Sequence, residues 1–259
     1  MRNIVIMPFG RSSRRSEWIF NSSDRPFDVL LLTYHPPAEI RDLDLDSTHY
    51  RVLNLQDFKW VMIHKLLVQN QDILNRYDHF FFVDDDIEIS LANVENPFLL
   101  TNKYNLVMSQ PVLSRDSYKS WRVLRKKFVS GIRYLSTVEL MCPVMSRVAV
   151  EELLPTFNLN KSGWGIDILW GDLIRRKFGE KSIAVFDLIV ARHAKPVGQG
   201  ELYAKLGKSA FDERDEIFQK YQLKDTTIFE LPLSENTLVN KVRSYFKLRN
   251  QLTGTQRSK

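Results

Sequence analysis

Apolar residues fall along the chain in short unbroken runs separated by longer segments with a helical period. Asn3–Pro8, Asp28–Thr33, Tyr50–Leu55, Phe80–Val83, Asn105–Ser109 and Ser182–Phe186 are rich in β-branched or aromatic residues. Runs of this length and composition predict strands, several of them buried on both faces. Gln56–Arg76 behaves differently: Phe58, Met62, Leu66, Ile73 and Tyr77 recur on one stripe, broadened by Val61, Ile63 and Leu67. That spacing predicts one amphipathic helix. Ser146–Leu154, with Ser146 as cap, and Ile166–Phe178, stopped by Gly179, are further predicted helices. Asn96-Pro97 marks a turn, and Gln110-Pro111 follows a strand. Beyond Gly198 the chain turns polar, and Glu201–Leu223 and Glu235–Leu252 read as helices. Strands alternating with helices predict an α/β fold with a mixed, mainly parallel sheet. Residues 1–200 would form the sheet domain, and 201–259 a helical C-terminal extension ending in a basic tail.

The chain has 259 residues, enough for one large domain with a substantial core. Its net charge of +6 is concentrated around Trp121–Arg133 and in the C-terminal tail, so it bears on local partners rather than on the fold. A single cysteine, Cys142, excludes an internal disulfide and a cysteine-rich zinc site. No segment has the roughly 18 apolar residues needed to span a bilayer. The N-terminus turns polar too soon for a signal peptide. A cytoplasmic protein, peripheral at most to a membrane, is the expectation.

The chemistry gathers at Phe80-Phe81-Phe82-Val83-Asp84-Asp85-Asp86, an apolar strand running straight into three carboxylates. Ligands of open α/β sheets bind beyond the carboxyl ends of the strands. Acids crowded there share a proton or hold a hard cation such as Mg2+ or Mn2+; the alternative is a solvated acidic turn. Phe9–Ser16 is a basic loop after the first strand, and its Arg11 is placed to meet phosphate, unless the loop is only flexible and solvated. Lys59, near the start of the predicted helix, could reach a diphosphate or lie in solvent. Arg115 to Arg133 interleaves bases with Tyr118, Trp121 and Phe128, as in a mobile flap or an exposed basic helix. The confinement of that patch argues against a nucleic-acid surface. Glu139, inside the apolar segment Thr137–Ser146, requires a partner, either a hydroxyl-rich ligand or a structural arginine. Gly163-Trp164-Gly165-Ile166-Asp167 sets a tryptophan between glycines and an aspartate at a helix start; it reads either as a capped turn or as a sugar-binding loop. His193 is a structural histidine or a nitrogen ligand completing a carboxylate site. The tail, Lys241–Arg249, is basic and amphipathic, suited to an anionic membrane or to a solvated helix.

In this order, the acid-tipped strand, the Glu139 segment, Gly163–Asp167 and His193 resemble glycosyltransferases of the GT-A type. More narrowly, Tyr77–Asp86, Ser109-Gln110-Pro111, Val138–Arg147, Trp164–Asp167 and Val190–His193 resemble an uncharacterised family whose plant members carry a lysine-ketoglutarate-reductase trans-splicing label. The resemblance covers about Tyr77 to Pro196. It implies a GT-A-like, Rossmann-like domain and a metal-dependent transfer of sugar from a nucleotide-diphosphate sugar to a hydroxyl of a glycan or glycolipid. It further implies a donor contact from Asp84; Asp85 beside it, and Arg11 and Lys59 outside the resemblance, are expected on the donor side from their own positions, the two bases toward the phosphates. Asp84, Asp86 and His193 would surround Mn2+ or Mg2+, and Asp167 would be the acceptor's base. Glu139, Trp164 and Gly165 would line the acceptor side. The rival expectations are a non-catalytic sugar- or nucleotide-binding protein of the same fold and a metal-dependent phosphoesterase.

Overall fold

In a computed structural model, residues 1–20, 25–118, 121–196 and 204–256 are described, with side chains through 253. Lys119, Gly198 and Glu201 lie outside the described residues. The framework is a nine-stranded mixed sheet. Strands β1 (Asn3–Phe9), β2 (Asp28–Thr33), β3 (Arg51–Asn54) and β4 (His79–Phe82) pair in parallel in the order β3-β2-β1-β4. Next to β4 lies β8 (Val144–Ser146), which runs the opposite way. It is followed by β6 (Met108–Leu113), then β9 (Ile183–His193), parallel to β6. Two short strands, β5 (Ile87–Glu88) and β7 (Ile132–Tyr134), pair antiparallel with β9. The predicted α/β architecture is therefore the one observed: a mixed sheet in which the short strands β5, β7 and β8 oppose the direction of their longer neighbours.

Alternation along the central strands divides the core. Ile4, Ile6, Leu30, Leu32, Phe80 and Phe82 face one layer, built from α2 (Lys59–Gln69), α5 (Arg147–Leu153) and α6 (Ile166–Phe178). Val5, Met7, Val29, Leu31 and Phe81 face the other, with α1 (Glu17–Phe20) and α4 (Leu91–Lys103). Successive side chains of a strand point to opposite faces, so an unbroken apolar run is what a sheet covered on both sides requires. Of the two C-terminal helices, α7 (Ala210–Tyr221) places Ile217 in the first layer. α8 (Leu238–Gln256) buries Leu248 against Ile132 and Phe186 at the far edge of the sheet.

Several boundaries differ from the sequence expectation. The helix predicted over Gln56–Arg76 is two, α2 and α3 (Gln71–Arg76). At Asn70 (φ −131°, ψ 70°) both the backbone N–H and the side-chain amide donate to the Leu66 carbonyl, which ends the first. Asn96-Pro97 is not a turn: Pro97 sits inside α4, where Val94, Pro97, Phe98 and Thr101 form its buried stripe. Burial of that stripe offsets the hydrogen bond that proline cannot donate. Pro111 likewise lies within β6, and the β6–β9 register shifts beside it, between Pro111 and Val112. Ser146 stands at the cap position of α5, but its hydroxyl donates to Val107 O instead of capping. The strand predicted to end at Phe186 continues as β9 to His193, which brings the histidine to the wall of a cavity.

Candidate active site

β4 delivers the acid triplet where its hydrogen bonding to β1 ends. Val83 N–H still donates to Ile6 O, and Asp84 N–H to Met141 O, after which the chain turns and Ile87 opens β5. Asp84, Asp85 and Asp86 line a cavity of about 620 Å³ together with Glu139, Trp164, Gly165, Asp167 and His193. Residues distributed over more than a hundred positions of sequence thus share one space.

Each acid of the triplet has its own partner. Lys59 Nζ donates to Asp84 Oδ1 at 2.5 Å and to Leu140 O at 2.6 Å, so its ammonium ties α2 to the acid cluster and to the segment before β8. Burial pushes the Asp84 carboxyl up to about 6; Lys59 opposes the shift, and the charge of Asp86 adds to it. Asp85 accepts hydrogen bonds from Tyr34 OH at 2.7 Å and from Ser13 Oγ, which closes the loop after β1 over the triplet. Its carboxyl is also raised, by burial first.

Asp86 faces His193. Asp86 Oδ2 and His193 Nε2 are 3.2 Å apart, and His193 Nδ1 lies 2.6 Å from Tyr118 O. A carbonyl only accepts, so Nδ1 carries its proton toward Tyr118 and Nε2 points at the carboxylate. Two acceptors at that separation require a proton or a cation between them. Burial pulls the imidazole pKa down, but Asp86 and the Tyr118 carbonyl outweigh it, and the net shift is upward. A carboxylate oxygen beside an imidazole nitrogen oriented by a backbone carbonyl is a donor set that fits a divalent ion. Among the described residues no group of three or more His, Cys, Asp or Glu converges closely enough to hold a metal. Asp86 and His193 would therefore be two ligands, with the rest supplied by a bound anion and water.

Asp167 lines the same cavity from the first turn of α6 and is 9% exposed. It is not the cap; Gly165 is, at φ 84°, a conformation glycine adopts without strain. The Asp167 carboxyl accepts from Ile168 N–H at 3.0 Å and from the Trp121 side chain. Burial raises it to about 6, against those hydrogen bonds. It is a carboxyl that exchanges its proton near neutrality, as a general base requires. Glu139 is 3% exposed; its Oε1 accepts from Trp121 N–H at 3.2 Å, and its own N–H donates to Gln110 Oε1. Arg133, in the neighbouring basic segment, is fully buried on Asp187, with bonds of 2.7 and 2.9 Å. Arg133 also donates to Val123 O and Arg125 O, which ties 123–125 to β7, and Trp121 just before them lines the cavity.

Arg11 is not part of the lining: it is half exposed and pairs with Glu39 at 3.1 Å. Several lining residues carried no signal in the sequence. Tyr34, Lys161 and Lys195 come from different loops, and Phe211, Arg214 and Phe218 come from α7. α7 supports the Trp164 loop: Phe211 packs edge-on against Trp164 with centroids 4.8 Å apart, and the buried Glu213 accepts from Ser162 N–H at 2.8 Å. Nothing local in the sequence ties α7 to that loop. Among the described residues, no helix is long and apolar enough to cross a membrane.

No protein-family model matches the sequence, and no curated protein matches it. Among solved structures, the chain is similar to S. aureus TarS 1–349 with a TM-score of 0.48 and 13% identity, over 72% of this chain and 58% of that one. It is also similar to a mycobacterial protein with a TM-score of 0.49 and 13% identity, over 90% of this chain and 84% of that one. The chain thus spans less than two thirds of the TarS fragment.

Proposed function

We propose that the protein is a glycosyltransferase of GT-A type that moves a sugar from a nucleotide-diphosphate donor to a hydroxyl of a glycan or glycolipid. One observation carries this: the acid triplet at the end of β4 and the buried carboxyl of Asp167 line the same cavity. The first is suited to a diphosphate bridged by a cation, the second to a neutral hydroxyl. Asp84 and Asp85 are assigned to the nucleoside side, with Lys59 neutralising Asp84. Arg11 stands outside this wall, in the loop that Ser13 fastens to Asp85. Asp86 and His193 would hold Mg2+ or Mn2+. When bound, such an ion supplies positive charge opposite the departing diphosphate.

Asp167 takes the proton of the acceptor hydroxyl as that oxygen attacks the sugar's anomeric carbon and the bond to the diphosphate breaks. Its elevated pKa arises from burial with no cationic neighbour among the described residues, so none of these draws its negative charge into an ion pair. Glu139, Gly165 and Trp164 line the acceptor side. Trp60, Trp121 and Trp164 wall the space against water, which would otherwise compete for the donor.

The test is release of nucleoside diphosphate from a panel of nucleotide sugars, with and without Mn2+. Ion-dependent release that is lost in Asp86→Ala and in Asp167→Asn supports the assignment. Donor binding with no transfer or hydrolysis, and with Asp167 dispensable, identifies a binding protein instead. Steady liberation of inorganic phosphate identifies a phosphoesterase.

A further inference from the structure

α8 has a second face that the core does not use. Leu248 is buried, whereas Val239, Arg243, Phe246 and Asn250, spaced to share the opposite side of the helix, are all exposed. Val239 is 61% and Phe246 53% exposed, and Lys247 and Arg249 flank them. From Leu238 to Gln256 the helix contains no aspartate or glutamate.

Beside it stands the loop Lys126-Lys127-Phe128-Val129. It is joined to α8 by the bonds of Gly131 N–H and Ile132 N–H to Ser244 Oγ, and by Lys127 and Lys241, which meet on Glu230. Phe128 is 75% exposed, and Val129 is held at φ 53°. A β-branched residue in the left-handed region is an outlier that persists only where its surroundings impose it, and such strain concentrates at functional positions. Here it holds an aromatic tip away from the core between two lysines and Arg115, whose guanidinium lies 4.1 Å from the ring centroid.

We propose that the outer face of α8 and the adjoining 126–129 loop form a docking surface for an anionic phospholipid bilayer. Glu230 takes up Lys127 and Lys241, and the remaining cations of this face, Lys126, Arg243, Lys247 and Arg249, provide the charge complement to lipid phosphates. The exposed valines and phenylalanines decide between anionic partners: they gain by entering the boundary between headgroups and acyl chains, and a nucleic-acid backbone offers them nothing comparable. With no helix able to span a bilayer among the described residues, attachment is to the surface. This inference does not depend on the chemistry of the cavity.

The test is co-sedimentation of the full chain with phosphatidylglycerol-containing vesicles and with phosphatidylcholine vesicles, at low and high salt. The wild type should pellet only with the anionic vesicles and be released by salt. Each cation removed near the surface should lower partitioning about fivefold, so Arg243→Ala/Arg249→Ala should bind roughly 25-fold more weakly. Phe128→Ser and Phe246→Ser should each weaken binding at unchanged charge. All these side chains are exposed, and unchanged thermal melting will confirm that the variants are folded. The proposal is overturned if the wild type fails to pellet with anionic vesicles or if the variants bind as it does. It is equally overturned if the face instead binds a labelled oligonucleotide in preference to vesicles, or mediates a dimer by light scattering that these substitutions dissolve.

Discussion

Replacing Asp167 by asparagine should abolish turnover and, at neutral pH, stabilise the fold. The carboxyl is buried, has no cationic partner among the described residues, and is raised from 3.8 to about 6. The native state therefore binds more protons than the unfolded chain between those values, so stability falls as pH rises through that window. Above both values the full penalty is about 3 kcal/mol. Asparagine carries no charge and does not incur it, although it can lose one of the hydrogen bonds from Ile168 or Trp121, at a cost of about 1 kcal/mol. That loss is independent of pH; the ionisation penalty is not. Of the 3 kcal/mol, about 1.4 kcal/mol develops between pH 5 and pH 8. The stability difference between Asp167→Asn and wild type should therefore move in favour of the variant by that amount over the same range. Asp84, also raised, is common to both proteins and cancels. Urea denaturation of the pair at several pH values reads the difference directly. A difference that stays flat from pH 5 to pH 8 would refute the claim that Asp167 is held near neutrality by burial, and with it the basis for assigning it as the base.

Three further outcomes follow from the packing. Arg133→Met should cost about 3–5 kcal/mol in chemical denaturation by leaving Asp187 charged and buried, and Arg133→Met/Asp187→Leu should recover most of it; a single-variant loss below 1 kcal/mol contradicts a buried pair. Glu213→Ala should raise amide exchange of 160–163 roughly ten- to a hundredfold, the loss of about 1.5–3 kcal/mol for a hydrogen bond to a charged group, with unchanged exchange contradicting the role of α7 as support for the Trp164 loop. Gly171→Ala, normally favourable in a helix, should instead destabilise by about 1–3 kcal/mol, because its Cβ would lie 2.3 Å from Ser136 O; a raised melting temperature contradicts that contact.

The parts of this structure legible in the sequence are those fixed by local periodicity. The runs of β1, β2 and β4 are buried on both faces, so they needed no knowledge of their neighbours, and α6 carried both its stripe and its glycine stop. The acid triplet was legible because it interrupts an apolar run at the point where a strand must end. The misread elements are those where distant packing overrode a local signal. Pro97 looks like a turn until Val94, Phe98 and Thr101 are seen buried on the same side, and Pro111 until β9 shifts its register beside it. Asn70 divides a continuous-looking stripe through its own side chain. In the site, Glu139, Asp167 and His193 stood out as polar residues in unusual settings. Tyr34, Lys195 and Arg214 did not, since solvated residues of those types are commonplace and only the folded chain brings them to one cavity. Arg133 appeared among basic neighbours as part of an exposed patch, yet its partner, Asp187, lies on another strand.

The most direct measurement is thermal unfolding of the full chain against a panel of nucleotide sugars, each with and without Mn2+. Asp86 and His193 alone are too few ligands to retain an ion, so neither component should stabilise much by itself. A matching donor at a hundredfold excess over its Kd, together with the ion, should add about 2.7 kcal/mol, a rise of roughly 5–11 °C, and Asp86→Ala should remove it. Equal stabilisation without the ion, an unchanged response in Asp86→Ala, or no response to any donor would contradict the proposal that these acids grip a cation to hold a nucleotide's phosphates.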